Sequence, residues 1–428
     1  MRRNILTIFI SVFVIFDVCS NLSDLCGQDD VRELPRFAVI SDLHFENNRG
    51  LGAMVKVPHA LKSILGKKNI DALFVVGDLT NAGKEREYDS LLKVFLDKTN
   101  VPDGIAVYFM MGNHDHMNKT VNASKLYQDK LRQPLHQFVE IKGYPFITVS
   151  PSGSGTNDYN NEAKKFLSDK LNFAAKKYQG KPIFVFFHHP PQNTCYGSAN
   201  NNWGSTALTT ILQKYPQAVV FCGHSHFPIG DPRSIHQDKF TTVNDGSTTY
   251  TGVEKGEISN TSILPEGFEN ITEGLIVNVL KNGNVEIERW DTFRNEEILP
   301  RWSLESPHDG SRFKYKNNRN ENDPPKFAAG SKPVVNDLTA AGGCVVTFPQ
   351  AKDNEIVHHY LIEILDGDQV IQSVKKCSQF YLNSWTPVEL SVTFAKLPTK
   401  KPLTAKITAI DSYKNKSTEI KSNTFTLP

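Results

Sequence analysis

The chain has 428 residues, 39% of them hydrophobic and 22% charged, which is the composition of an ordinary folded protein and not of a disordered one. That length exceeds what one compact core accommodates, so two domains are expected. Its 48 basic and 46 acidic side chains leave a formal net charge of +2, which gives no electrostatic footprint for a nucleic-acid backbone.

In chain order, the first segment reads as a secretory leader. Arg2 and Arg3 form a basic start, and Ile5 to Phe16 is an apolar run too short to span a bilayer comfortably. Val18 and Ser20 are small enough to precede a cleavage point after Ser20. A leader over residues 1–20 is therefore expected, with a secreted or periplasmic mature protein and no stable membrane insertion. Cys19 raises lipid attachment, but Phe16-Asp17-Val18 before it is too bulky and charged to fit well.

From Arg36 onward apolar runs alternate with helical patterns, which predicts an α/β core. The runs 37–40, 72–76, 105–111, 183–187 and 218–221 read as strands covered on both faces. Helical patterns fall at 59–65, 85–96, 162–178 and 205–214. Each of these strand runs ends in a short polar motif. The motifs are Asp42-Leu43-His44, Gly77-Asp78, Gly112-Asn113-His114-Asp115, His188-His189-Pro190 and Gly223-His224-Ser225-His226. Ligands of such sheets bind beyond the carboxyl ends of the strands, so residues far apart in sequence can converge there.

Further on, 241–243 and the pair 274–280 and 285–290 read as strands, the pair joined by the hairpin signal Asn282-Gly283. Residues 306–332 are polar and irregular, as in a linker. Residues 333–428 change character, with short alternating strands at 344–348, 359–365, 370–374, 388–394 and 405–410, and a hairpin turn at Asp366-Gly367. Strands without helices predict an all-β sandwich. Ile407-Thr408-Ala409-Ile410-Asp411 followed by Lys414-Asn415-Lys416-Ser417 resembles the late strand and turn of a fibronectin type III domain. Cys344 and Cys377 leave a disulfide open within this part.

The five motifs concentrate imidazole. Of thirteen histidines, His44, His114, His116, His188, His189, His224 and His226 lie in or beside them, and core packing gives no reason for that. Asp, Asn and His are the side chains that hold two metals close together. Such a pair needs an anionic bridge, and Asp78, with two carboxylate oxygens, can supply it. Asp42 and His44 are alternate residues past a strand end and can turn toward one metal. Asn113 would be a neutral oxygen ligand that leaves its metal strongly Lewis acidic. Mixed Asp, Asn and His ligands suit iron, manganese or zinc about equally, so the expected cofactor is two divalent or trivalent ions of that group.

Taken together, the motifs resemble the calcineurin-like metallophosphoesterase family over about residues 35–290. The resemblance implies a four-layer α/β/β/α sandwich, here assigned to residues 35–305, ahead of the all-β sandwich. It implies one metal on Asp42, His44, Asp78 and His226 and a second on Asp78, Asn113, His188 and His224. His188 is preferred to His189 because the family's ligand stands two residues before a proline. A metal-activated hydroxide would attack phosphorus, with His114 as general acid. Where some members carry an aspartate that orients this histidine, the present chain has Asn81, so Asp115 is assigned as orienter or neighbouring acceptor.

The run from Gly77 to Lys84, with Glu87-Tyr88, is similar to the cyclic-nucleotide phosphodiesterase-like branch. The expected function is a secreted phosphohydrolase cleaving a small phosphodiester, with no nucleic-acid polymer as partner. A phosphomonoesterase of the nucleotidase or acid phosphatase kind is the alternative. A non-enzymatic surface-binding protein acting through the C-terminal domain is another. His116, Tyr196 and Trp203 are assigned to the substrate, the two aromatics as stacking platforms on a loop over the pocket. Core packing competes for Trp203, and a solvated loop for His116. The C-terminal sandwich is expected to position the enzyme, pack on its flank or meet a surface partner.

Overall fold

In strands buried on both faces, alternate side chains serve two different cores, and that alternation lays out this molecule. The computed structural model describes residues 33–47, 51–67, 69–258, 267, 271–316, 323–338 and 342–428. The leader reading lies outside the described residues. In chain order the first part comprises β1 (Arg36–Ile40), α1 (Ala53–Leu65), β2 (Ala72–Val76), α2 (Glu85–Phe95), β3 (Ala106–Met110) and α3 (Ala123–Leu131). It continues with β4 (His136–Ile141), β5 (Tyr144–Val149), α4 (Asn161–Lys177), β6 (Ile183–Phe186), α5 (Thr209–Leu212) and β7 (Ala218–Cys222). Then follow β8 (Ile235–Gln237), β9 (Thr241–Asn244), β10 (Glu273–Val279), β11 (Val285–Asp291) and β12 (Glu296–Leu304).

Two six-stranded sheets result, in the orders β12-β11-β10-β1-β2-β3 and β4-β5-β6-β7-β9-β8. In the first, β1, β2 and β3 run parallel; in the second, β5, β6, β7 and β9 do. Phe37, Phe74, Phe184, Phe186 and Phe221 point between the sheets into one core, joined by Phe146. Their alternating neighbours Ala38, Ile40, Leu73 and Val75 pack instead with residues of α1, α2 and α3. Ile183, Val185, Ala218 and Val220 pack with α4 and the short α5. The layers are therefore α/β/β/α, as the resemblance implied. The inter-sheet seam is aromatic: the Phe74 and Phe186 rings stack with centroids 4.0 Å apart.

A second, all-β part follows. It contains β13 (Val334–Leu338), β14 (Gly343–Pro349), β15 (Val357–Asp366), β16 (Gln369–Cys377), β17 (Glu389–Phe394), β18 (Leu403–Asp411) and β19 (Ile420–Lys421). These form sheets of order β13-β14-β17 and β16-β15-β18-β19 around a core of Val346, Phe348, Tyr360, Ile362, Leu403 and Ile407. Cys344 and Cys377 are buried and are not joined, so the disulfide left open by the sequence is not formed. Between the two parts, Tyr315 packs on the inter-sheet core and its carbonyl accepts from Gln237 N (2.8 Å), so the segment read as a linker is anchored along β8.

Several elements differ from the sequence expectation. Helix α1 starts at Ala53, six residues before the pattern expected it, and runs through Pro58. The helix expected over 205–214 shortens to Thr209–Leu212. The hairpin of β4 and β5 went unread because Pro145 interrupts the apolar run. Lys142 and Gly143 form its turn, both with positive φ, as a two-residue hairpin loop requires.

Candidate metal centre

All five motifs lie just past the carboxyl ends of β1, β2, β3, β6 and β7, and their side chains meet in one place. Two donor sets form there. Asp42, His44, Asp78 and His226 make one; Asp78, His188 and His224 make the other, each with ligand atoms within 4.8 Å of one another. Asp78 belongs to both. Asn113 joins the second set, its Oδ1 lying 3.1 Å from His188 Nε2. His188, not His189, is the histidine of this motif that falls in the set. His189 turns away, its Nδ1 3.1 Å from the Tyr159 hydroxyl.

The donor atoms face one another at close range. His44 Nε2 and His226 Nε2 stand 3.1 Å apart, and Asp42 Oδ1 is 3.0 Å from His226 Nε2. Among the described residues, the buried Asp42 Oδ1 has no hydrogen-bond partner. A buried carboxylate oxygen without a donor is costly. Lone pairs converging on one point are what a cation requires, so these residues fit a metal pair.

The surrounding groups fix each ligand's orientation. His188 Nδ1 donates to Val76 O (2.8 Å), and His226 Nδ1 to Tyr250 O (3.0 Å). His224 Nε2 donates to Asn202 O (3.1 Å), which leaves Nδ1 as the nitrogen available to a metal. Ser41 Oγ lies 2.5 Å from both Asp42 Oδ2 and Asp245 Oδ1. A hydroxyl has a single proton to give, so one carboxyl must donate back. That carboxyl is Asp245, pushed well above the usual range by burial and by the Asp42 charge. None of Ser41, Asp245, Tyr250 or Asn202 was singled out from sequence. Their roles come from backbone carbonyls and long-range pairing that no motif encodes.

The electrostatics separate the histidines. Burial lowers His44 to about 4 and His224 to about 3. Burial opposes charge on His188 too, but the adjacent Asp78 and Asp42 carboxylates outweigh it and raise that ring to about 10. Burial would raise Asp78 as well, yet the charges of His188 and His114 hold it well below the usual carboxylate range. An excess of negative charge thus sits at Asp42 and Asp78 and draws positive charge to the point where the sets meet.

The backbone at this site is unusual. Asp42, His44, Asp78, His224 and His226 all have left-handed φ, between 43° and 69°. L-residues disfavour that region, at roughly 1 kcal/mol or more each, and the surrounding packing must hold them there. The motif glycines are set by close approach. A Cβ on Gly112 would come within 2.2 Å of Asp78 Oδ1, and one on Gly223 within 2.3 Å of Ser41 Oγ.

The remaining assigned residues separate. His114 is half-buried, with its ring 4.5 Å from that of His44, and belongs to neither donor set. Its Nδ1 lies 2.7 Å from Asn81 O, so a backbone carbonyl does the orienting and the Asn81 side chain is not needed for it. Among the described residues, none of the hydrogen bonds of Asp115 goes to that ring. Its buried carboxylate accepts from Leu79 N, Thr80 N, Thr80 Oγ1 and Gly112 N, and so ties the loop after β2 to the loop after β3. Burial and the nearby Asp78 charge raise it to about 6. His116 is buried, with Nε2 donating to Pro151 O (3.0 Å). Tyr196 is only 3% exposed, beneath the Arg233 guanidinium, with its hydroxyl on Glu257; burial there removes it from the substrate face. Trp203 alone of the two aromatics reaches the site, half-buried and 5.3 Å from the His224 ring.

Fold and side chains together thus place, at the strand ends of a two-sheet sandwich, a cluster able to hold two metal ions. The family model described as calcineurin-like phosphoesterase matches residues 35–228. A protein described as a probable cyclic nucleotide phosphodiesterase, from Ruthia magnifica subsp. Calyptogena magnifica, is 31% identical over 199 residues, spanning 44% of this chain and 77% of that one. A glycerophosphodiester phosphodiesterase of Enterobacter lignolyticus (strain SCF1) is 26% identical over 205 residues, covering 44% and 70%. A further probable cyclic nucleotide phosphodiesterase, from Rhodopseudomonas palustris, is 27% identical over 246 residues, covering 49% and 82%. The chain belongs to the calcineurin-like phosphoesterase family, whose members are metal-dependent phosphoesterases.

Proposed function

We propose that this protein hydrolyses a small phosphodiester, with Asp42, His44, Asp78 and His226 holding one metal and Asp78, Asn113, His188 and His224 the other. The observation that carries the reading is the Asp78 carboxylate shared by both donor sets, with His114 beside them in neither. Ions held there would supply Lewis acidity toward phosphoryl oxygens and a lowered pKa for water. His114, with Nδ1 fixed on Asn81 O, keeps Nε2 for the leaving oxygen and in its protonated form can donate to it. Ser41 and Asp245 hold the Asp42 carboxylate, and Val76 O and Tyr250 O hold the His188 and His226 rings, so the donor sets are organised before substrate arrives. Trp203, at the rim beside His224, offers a flat apolar face to a base or similar group.

A diester is favoured over a monoester because relatives at 26–31% identity carry diesterase descriptions. The test is hydrolysis of bis-p-nitrophenyl phosphate against p-nitrophenyl phosphate, using metal-free protein resupplied with manganese, zinc or iron. Turnover should depend on metal, favour the diester and vanish in Asp78→Asn. Faster turnover of the monoester would reassign the protein as a phosphomonoesterase.

A further inference from the structure

The all-β part is joined to the metal-site half through a largely buried charged cluster, with Arg233 and Glu257 about one-fifth exposed, placed directly behind the loop that meets His224. His358 of β15 is 1% exposed and its Nε2 lies 3.0 Å from Glu257 Oε2. Glu257 also receives Arg233 Nη1 (2.6 Å) and the Tyr196 hydroxyl (2.6 Å). Arg233 stacks on the Tyr196 ring at 3.8 Å and is paired with Asp231 at 2.8 Å. Two more residues of the β-domain reach the same cluster. Lys375 Nζ donates to Glu257 O (2.8 Å) and Ser412 Oγ to Asp231 Oδ2 (3.2 Å).

From Tyr196 the connection runs inward to the metal centre. Its backbone N donates to Arg233 O (2.9 Å), and its ring packs on Phe227 at 4.6 Å, the residue after His226. Trp203 packs on the same Phe227 and on His224. Asn202 O holds the His224 ring. The segment 194–204 is thus pinned at one end by the domain interface and touches a ligand histidine at the other.

We propose that the C-terminal β-domain is part of the catalytic apparatus: His358, acting through Glu257, is a positioning residue that sets the 194–204 segment against His224. Buried charged clusters reward complete satisfaction and penalise a missing member. The His358–Glu257 contact holds Tyr196, and with it the pocket wall carrying Asn202 and Trp203. The substrate consequence rests on the phosphodiesterase reading above; the positional consequence does not.

The experiment uses the full chain with His358→Phe, which keeps the ring's bulk beside Phe380 but cannot donate to Glu257, and His358→Gln, whose amide can. Hydrogen exchange of amides 194–204 in metal-free protein reads the positioning without any catalysis. It should accelerate about tenfold in His358→Phe and return close to wild type in His358→Gln. Amides 72–76 of β2 should be unchanged. With saturating manganese, KM for bis-p-nitrophenyl phosphate should rise about tenfold in His358→Phe while kcat stays within about twofold, since a pocket wall binds ground and transition states alike. Unchanged exchange over 194–204, or equal acceleration over 72–76, would overturn the proposal. A wild type without turnover would count against the phosphodiesterase reading, and the exchange data would still decide the positioning.

Discussion

Glu273 opens β10 as a carboxyl with no exposure. Its Oε2 accepts from Ile229 N (3.1 Å), and its Oε1 has no hydrogen-bond partner among the described residues. Burial, reinforced by the Asp291 charge, pushes it from 4.5 up to about 8. At about 1.4 kcal/mol per pH unit, that gap amounts to roughly 5 kcal/mol of pH-dependent stability. Below pH 4.5 the group is protonated in both states and stability is fully present. Between 4.5 and about 8 the unfolded chain ionises while the folded one keeps its proton, so stability falls as pH rises. Glu273→Gln removes the titration. Its amide would meet the same lack of partner, a fixed offset of about 1–3 kcal/mol. The diagnostic is therefore the slope. Urea unfolding of metal-free protein at pH 5, 6 and 7 should show the variant gaining about 3 kcal/mol on the wild type across that range. Parallel pH profiles would refute the burial argument.

Other outcomes follow from the same geometry. His114→Ala should slow hydrolysis about 10²–10⁴-fold for diesters with alkoxide leaving groups, and far less for p-nitrophenolate, which leaves without a proton; steady-state kinetics on the two ester types checks this. Asp115→Asn presents an NH₂ to the Gly112 or Leu79 amide and should cost about 1–3 kcal/mol, read as a lower urea midpoint, with weaker metal retention. Phe74→Ala empties the inter-sheet stack and should cost about 3–5 kcal/mol by the same assay.

Much of this arrangement was legible in the sequence because the strands are buried on both faces. Continuous apolar runs ending in Asp or His marked β1, β2, β3, β6 and β7, and the topology brought those ends together. The place of Asp78 between the two donor sets was legible from its chemistry, and that of His188 from the resemblance to the family. The left-handed backbone of Asp42, His44, Asp78, His224 and His226 was not legible, since nothing in an aspartate or histidine announces φ. Nor was the burial of Tyr196. An aromatic on a loop reads as a platform until Glu257 and His358, 61 and 162 residues away, are placed beside it. The loop-bridging contacts of the Asp115 carboxylate were not legible for a related reason. Its partners are mostly backbone amides, which every residue has and no sequence pattern distinguishes.

The ligand positions have a mechanical meaning as well. Asp42, Asp78 and Asn113 follow strands of one sheet, and His188, His224 and His226 follow strands of the other. Neither sheet alone carries a complete donor set, so ions seated there would rivet the two halves of the sandwich across their seam. Such rivets would need the phenylalanine core to hold the two sheets together. Once closed, they tie local strand-end loosening to the parting of the whole seam. A chelator would then act on this protein as a denaturant does, by lowering the midpoint of global unfolding.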